Sequence, residues 1–506
     1  MIHLSMRLAD LAVMAAYLVL ITWFGAQFKT KQKTLKDYFL GGRDAPWWAI
    51  AFSIVSAETS VLTVIGTPAL SFSGNFTFLQ LVFGYLLGRI VIVFLFLPHY
   101  FRGEMFTAYE LMQRRFGRRV REFAGGTFLI LRALAEGVRV FAVSIVISVV
   151  LGTGEVASIA VIICLTLFYT FEGGMTAVIW TDVAQMALYI TGALISLLLL
   201  VHDIPGGWAH AFFLGEMAHK FQVLDFRASF SRAFFERNYS FWAGILGGCF
   251  LTMASHGTEQ LLVQRLLSAR NERESRLALL SSWVVVFLQF VLFLFIGVLL
   301  FVLFQDRHLL APAVPERIYP EFIWEHFPPL LAGLIMAAIL AAAMSNLSAA
   351  LNSLASTTVM DFLSVFRPGR REAAYLQAAR VATLGWGVLL FSIGLAARHW
   401  GRVLEAGLSI ASVLYGALLG VFLLGVLTKR PGETAAIVGM SSGLLATILL
   451  REKVAFTWYV MIGSAVTFAA GYGFSLLTGK RETNLQAALL SDPDTQRERL
   501  VEEDER

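Results

Sequence analysis

Residues 47–70 read WWAIAFSIVSAETSVLTVIGTPAL, and this stretch decides the class of fold. It is long enough to cross a membrane, since a spanning helix needs about 20 mostly apolar residues. Yet its middle carries Ser56, Glu58, Thr59, Ser60 and Thr63, followed by Gly66 and Pro68. Polar and ionised groups at mid-membrane depth are costly, so they face a bundle interior or a cavity. Hydroxyl and β-branched residues beside Gly and Pro permit a break in the helix. Broken backbone at that depth is tolerated only where it is buried or lines a cavity, and the freed carbonyls can coordinate a cation. A packed helix whose Ser and Thr bond back to their own carbonyls accounts for the hydroxyls alone. Glu58 tips the reading toward a functional cavity.

The rest of the chain has the composition such a helix requires. Of 506 residues, 57% are hydrophobic and 15% charged, against about 25% charged in soluble proteins. Mean hydropathy is +0.70. That balance excludes a soluble multidomain enzyme, a coiled coil and a disordered scaffold, and it leaves an all-α polytopic membrane protein. Cys164 and Cys249 both lie in apolar runs, which argues against a disulfide framework or a cysteine metal site. The net charge of +5 comes from Lys and Arg in short loops, a topology signal rather than a nucleic-acid footprint.

Counting apolar runs gives about thirteen spans, near 8–27, 46–71, 75–100, 120–151, 154–172, 176–202, 239–256, 276–305, 328–363, 373–398, 403–427, 433–450 and 455–478. We number them helix 0 to helix 12. Lys29, Lys31, Lys33, Lys36 and Arg43 lie in the first loop, and Arg102, Arg114, Arg115, Arg118, Arg119 and Arg121 in the third. Arg265, Arg270, Arg273 and Arg276 follow helix 6, and Arg367, Arg370 and Arg371 follow helix 8. All four clusters share one side in the alternating count. The positive-inside rule makes that side cytoplasmic, with the N-terminus outside, the C-terminus inside and the chain in the inner (plasma) membrane. The polar segment from Lys480 to Arg506 reads as a solvated tail.

Other spans carry polar groups of their own. Helix 8, LAGLIMAAILAAAMSNLSAALNSLASTTVMDF over 331–362, is rich in small residues interrupted by Ser345, Asn346, Ser348, Asn352, Ser353 and Ser356. Small residues allow close helix packing. Ser345 and Ser348, three apart, share a face, and neutral oxygens suit a hard cation. Asp182 begins helix 5 in GGMTAVIWTDVAQ, either as a helix-start carboxylate or as one on an ion path. Arg132, Glu136 and Arg139 align on helix 3, as an internal ion-pair ladder or as contacts for a charged solute. In helix 6, Gly247 and Gly248 permit unwinding, and Tyr239 and Trp242 stand at its outer end as interfacial anchors or a solute platform. His256 has no metal-ligand partner at useful spacing, and no HExxH, GxSxG or P-loop occurs, so there is no case for an enzyme.

DYFLGGRDAPWW (37–48), TAYELMQRRFG (107–117), GGMTAVIWTDVAQ (173–185), HGTEQLLVQRLL (256–267) and SNLSAALNSLASTTVMDF (345–362) appear in order along most of residues 37–440. Together they resemble the sodium:solute symporter family, in its bacterial relatives of the sodium–glucose, sodium–iodide and proline symporters. The resemblance implies a LeuT-like fold, with helices 1–5 and 6–10 as inverted five-helix repeats and helices 0, 11 and 12 peripheral. The implied divisions are 1–45, 46–203, 204–238 as an extracellular loop, 239–427, 428–479 and the tail 480–506.

The resemblance also implies that helices 1 and 6 break at the midplane. It implies a main sodium site from the Ser56, Thr59 and Ala342 carbonyls, the Ser345 hydroxyl and Asn346, where the family usually has Ser or Thr. A second cation site matches Asp182, Ser345 and Ser348, with Ala349 replacing a further hydroxyl. Glu58, Ser60, Thr63 and Phe78 match the solute pocket or its coupling to sodium; Arg132 and Glu136 join them as candidates. The implied function is sodium-driven symport of a small polar organic solute, such as a sugar, monocarboxylate or amino acid, by alternating access. The implied partners are the solute, Na+ and the bilayer, with no cofactor beyond the coupling ion, no nucleic acid and no obligate protein partner. Proton coupling through Glu58 or Asp182 is the alternative, and a transporter-like sensor the third reading.

Overall fold

The computed structural model describes residues 2–27, 43–101, 108–169, 175–227, 232–363 and 372–478. Lys29 to Lys36, Arg102, Arg367 to Arg371 and the tail from Lys480 lie outside the described residues, as does the side chain of Ser345. Among the described residues, regular structure is helical apart from one isolated bridge between Ala45 and Ala269.

Each apolar run is realised as helix. Helix 0 spans Ile2–Ala26, helix 2 runs through Leu79–Leu95, helix 3 is Arg118–Leu151, helix 4 Glu155–Tyr169 and helix 5 Met175–Asp203. Helix 7 is Glu272–Asp306, helix 8 Leu331–Thr357, helix 9 Glu372–Ala397, helix 10 Val403–Leu427, helix 11 Glu433–Leu450 and helix 12 Tyr459–Leu477. The expected count of thirteen crossings is not met by length and composition. Nine helices among the described residues are long and apolar enough, or ten with one bent pair. Helices 0 and 4 offer only the shorter apolar segments Leu8–Ile21 and Glu155–Leu167, and helix 6 is divided. The segment 204–238, expected as a loop, also folds into helices at Gly207–Met217 and Arg232–Phe235.

Helix 1 is two helices, 1a (Trp47–Glu58) and 1b (Val61–Ser73), bent by 64°. Pro68 sits within 1b and does not cause the break. Helix 6 divides the same way into 6a (Phe241–Gly257) and 6b (Gln260–Leu267), parted at Thr258 and Glu259. The first helix of each expected repeat is thus interrupted. Gly247 and Gly248 do not unwind, contrary to the sequence reading. They lie in continuous 6a, where their missing side chains permit contact. A Cβ on Gly248 would stand 2.2 Å from the Leu81 carbonyl oxygen, and one on Gly84 2.5 Å from that of Ile245. Gly84 of helix 2 lies against Gly244 and Gly248 of 6a, and Gly88, one turn on, against Cys249 and Thr252, small residues that bring two backbones together without a hydrophobic driving force between helices.

Around this pair, helix 7 packs on 1a and 1b, helix 5 on 1a, and helix 8 on helices 0, 3 and 5. Helix 10 packs on helices 3 and 12, and helix 12 on helix 11. Thr59 and Ser60 at one break and Thr258 and Glu259 at the other are all buried, which is the condition for irregular backbone at membrane depth.

Candidate functional site

The break in helix 1 leaves carbonyls without helical partners. The Ser60 N–H turns to the Glu58 carbonyl at 3.2 Å, and the Thr63 N–H to the Ser60 carbonyl at 2.9 Å. Neither takes the i−4 carbonyl, that of Ser56 or Thr59. Ser56 and Thr59 are both buried, and Gln289 Nε2 of helix 7 donates to the Thr59 hydroxyl at 2.6 Å, pinning the turn. Helix 8 passes this point. Asn346 shares with Ser60, Val61 and Arg139 a space of about 10 Å³, on the order of one water-sized sphere. The structure thus brings Asn346 to the break in helix 1. Ala342 lies in the same unbroken stretch of helix 8.

Beside this space is a cavity of about 150 Å³ walled by helices 1, 2, 3, 6 and 10. Glu58, Ser60 and Thr63 line it from helix 1, Tyr85 from helix 2, and Arg132 and Arg139 from helix 3. Thr252, Ser255, His256 and Glu259 line it from helix 6, and Tyr415 from helix 10. Two expected pocket residues are placed elsewhere. Phe78 is buried, its ring packed on Tyr239 and Phe290. Glu136 is fully buried behind the wall as a counter-ion.

The charges of the cavity are all paired. Arg89 of helix 2, 0% exposed, donates to Glu58 Oε2 at 2.6 Å, and His256 Nε2 lies 3.4 Å from the same oxygen. Arg132 bridges Glu136 and Glu259, each at 2.9 Å, and Arg139 pairs with Glu136. The Tyr415 hydroxyl donates to Glu259. The ladder expected on helix 3 therefore exists, and two of its members also face the cavity. It extends through Glu259 to the break in helix 6, so helices 3, 6 and 10 are tied at one point. Three guanidinium groups meet three carboxylates, and with His256 neutral the fixed charge is zero.

Asp182 is buried in the first turns of helix 5. Ser53 of helix 1a donates to its Oδ2 at 2.7 Å, and Arg265 Nη2 of helix 6b at 2.9 Å. Arg265, itself 2% exposed, also donates through Nε to Ser53 at 2.9 Å. Among the described residues Asp182 makes no hydrogen bond to Ser348, which is buried on helix 8. The network ties helices 1a, 5 and 6b together.

Sequence reasoning missed Arg89, Arg265 as the partner of Asp182, Glu259 and Tyr415. The signal for Arg89 was available, since a charge inside an apolar run marks a site. Tyr415 carries no such mark.

The sodium:solute symporter family model matches residues 38–443. The chain is 28% identical over 470 residues to the sodium/sialic acid symporter SiaT of Proteus mirabilis, covering 91% of this chain and 93% of that protein. It is 28% identical to the sodium-coupled monocarboxylate transporter 2 of Bos taurus, over 86% of this chain and 71% of that one. To the human sodium/iodide cotransporter it is 27% identical, over 87% and 69%. A solved sodium-coupled sialic acid symporter, substrate-bound and outward-open, superposes with a TM-score of 0.79 at 26% identity, covering 93% of this chain and 98% of that one. Mhp1, a nucleobase-cation-symport-1 family transporter, shares the fold with a TM-score of 0.52 at 12% identity, covering 88% of this chain and 97% of that one. These relatives are transporters, not enzymes. The proton-coupled alternative through Glu58 or Asp182 finds no support: both carboxylates are held by guanidinium groups, and the matched relatives are sodium-coupled. By a family model matched over most of its length and by a fold shared along nearly all of it, the chain belongs to the sodium:solute symporter family.

Proposed function

We propose that the protein carries one sodium ion and one small organic anion per cycle across the inner (plasma) membrane. The observation behind this reading is the break at Thr59 and Ser60, which leaves the Ser56 and Thr59 carbonyls without helical partners, with Asn346 sharing a small space with Ser60 and with Arg132 and Arg139 lining the cavity. Carbonyl and amide oxygens suit a hard cation, and guanidinium groups suit a carboxylate. The three relatives named above handle monocarboxylate, sialic acid and iodide, all anions.

Sodium is held by the Ser56, Thr59 and Ala342 carbonyls with Ser345 and Asn346. The second cation site at Asp182, Ser345 and Ser348 is not used, because Arg265 already supplies the positive charge there. Ala349 further lacks a ligating oxygen. Sodium between helices 1 and 8 holds the outward-facing state; separation of the helices releases ion and solute inward. The end bearing the basic segments faces the cytoplasm, with the N-terminus outside and the C-terminus inside.

The test is uptake into proteoliposomes. An inward sodium gradient drives accumulation of a labelled monocarboxylate, and equimolar potassium or choline does not. Ser345→Ala raises the sodium concentration needed for half-maximal uptake before it alters solute choice. Unaltered sodium dependence in that variant removes Ser345 from the site, and uptake indifferent to sodium removes the coupling.

A further inference from the structure

Helix 0 stands apart from the two five-helix repeats, yet it carries a carboxylate inside its apolar segment Leu8–Ile21. Asp10 is 7% exposed. A charge so placed marks a role, and its partners show which one. Oδ1 accepts the Leu330 N–H at 2.7 Å and the Gly333 N–H at 3.1 Å, at the start of helix 8. The first N–H groups of a helix have no partner within it. Helix 8 has no side-chain cap of its own, since its N-cap is Leu330 and Pro328 and Pro329 come before it. The cap is supplied by another helix.

The contact is close and specific. A Cβ on Gly333 would stand 2.5 Å from the Asp10 carbonyl oxygen, so backbone meets backbone there. Leu330 has φ +71°, a conformation that residues other than glycine keep only where their surroundings enforce it. Its N–H takes the shorter of the two hydrogen bonds to Asp10. Met14 and Ile21, also buried, continue the same face of helix 0, and helix 0 packs on helices 8 and 5.

Helix 8 needs such a pin. From 332 to 343 it reads AGLIMAAILAAA. Small residues let helices approach closely but raise shallow ridges, which resist sliding along the axis poorly. Ala342 lies nine residues past Gly333, about 13 Å along the axis. Helix 8 is unbroken over that distance, so a slip at the cap reaches Ala342, Ser345 and Asn346 undiminished. Binding constellations work within about 0.5 Å of their productive geometry.

We infer that Asp10 is a positioning residue for sodium: through it, helix 0 sets the height of helix 8 against the break in helix 1. This rests on the sodium site proposed above and adds a part to it that touches neither ion nor solute.

The test measures sodium activation of uptake by the full chain in proteoliposomes, and the solute KM at saturating sodium. Asp10→Ala should raise the sodium concentration for half-maximal uptake about tenfold or more, as loss of a residue that orients ion ligands does, and leave the solute KM at saturating sodium unchanged. Asp10→Asn keeps an acceptor oxygen without the charge, so it should restore most of the sodium affinity. Met14→Ala removes packing from the same face and keeps the pin; it should lower the melting temperature without moving sodium activation. Should Asp10→Ala fail to fold, Asp10→Asn carries the test with a smaller rise, read also as a weaker sodium-dependent thermal shift. Unchanged sodium activation in every folded Asp10 variant overturns the inference and leaves the sodium site standing. An equal rise in Met14→Ala, or in the solute KM at saturating sodium, reduces Asp10 to a structural cap and overturns it too. Uptake indifferent to sodium in the unaltered protein removes the sodium reading and this inference together.

Discussion

Arg89, in GYLLGRIVIVFL over 84–95, and Lys220, in the segment between helices 5 and 6, are both cations that burial makes expensive. They meet that cost differently. Arg89 has a carboxylate on the neighbouring broken helix, and losing either partner would strand a buried charge. Glu58 was legible as a buried acid in the sequence; its partner, 31 residues away, was not, because nothing local pairs them. Lys220 has no carboxylate partner among the described residues. Its ammonium donates to the Phe72 carbonyl at 2.7 Å, capping the end of helix 1b, and sits 3.9 Å from the centre of the Phe301 ring. Burial lowers its pKa from the ordinary 10.5 to about 8. Between those values the unfolded chain holds a proton that the folded protein has released, so stability rises with pH across that window. The melting temperature of the unaltered protein should therefore climb relative to Lys220→Met as pH goes from about 8 toward 10. His210, Asp306 and His308 line the same surface pocket and are common to both proteins, so they drop out of the difference. Parallel curves would show that Lys220 does not lose its proton in this range.

Helices 1 and 6 set the architecture, and the sequence exposed them unequally. In helix 1 the hydroxyl-rich patch around Glu58 coincides with the break at Thr59 and Ser60. In helix 6 the glycines misled, since Gly247 and Gly248 satisfy a packing need and the break falls later, at Thr258 and Glu259. A glycine removes a side chain both from a helix that must bend and from one that must touch a neighbour, and only the neighbour distinguishes the two. Gly248→Leu should prevent stable assembly of helices 2 and 6a, because the clash at 2.2 Å is with backbone rather than with a movable side chain. Gly125→Ala on helix 3, where a Cβ meets nothing within 4 Å, should be neutral or stabilise by up to about 1 kcal/mol. Thermal unfolding with size-exclusion profiles of the two variants checks the contrast. A well-folded Gly248→Leu protein would mean that the two helices can part without loss.

For the whole molecule, the balance of fixed charge predicts the electrical character of transport. The cavity is neutral, the Asp182–Arg265 pair is neutral, and the proposed cargo of one sodium with one monoanion leaves nothing uncompensated. Uptake should therefore be unaffected by a potassium-diffusion potential imposed with valinomycin, and no solute-evoked current should appear on a supported membrane; a sustained inward current would require a further cation per cycle. The sequence by itself determined the helical membrane class, the family and the positions of most helices, because spanning a bilayer demands long apolar runs and penalises each polar group placed within them. It also singled out Glu58, Asp182 and the helix 3 ladder, since charges in apolar runs stand out. Only the tertiary structure decided that Phe78 and Glu136 lie off the cavity, that Asp182 faces Arg265, and that Glu259 joins the ladder to Tyr415. Those outcomes depend on which groups from distant segments meet in a low-dielectric interior, where a charge's partner rather than its own identity sets its role.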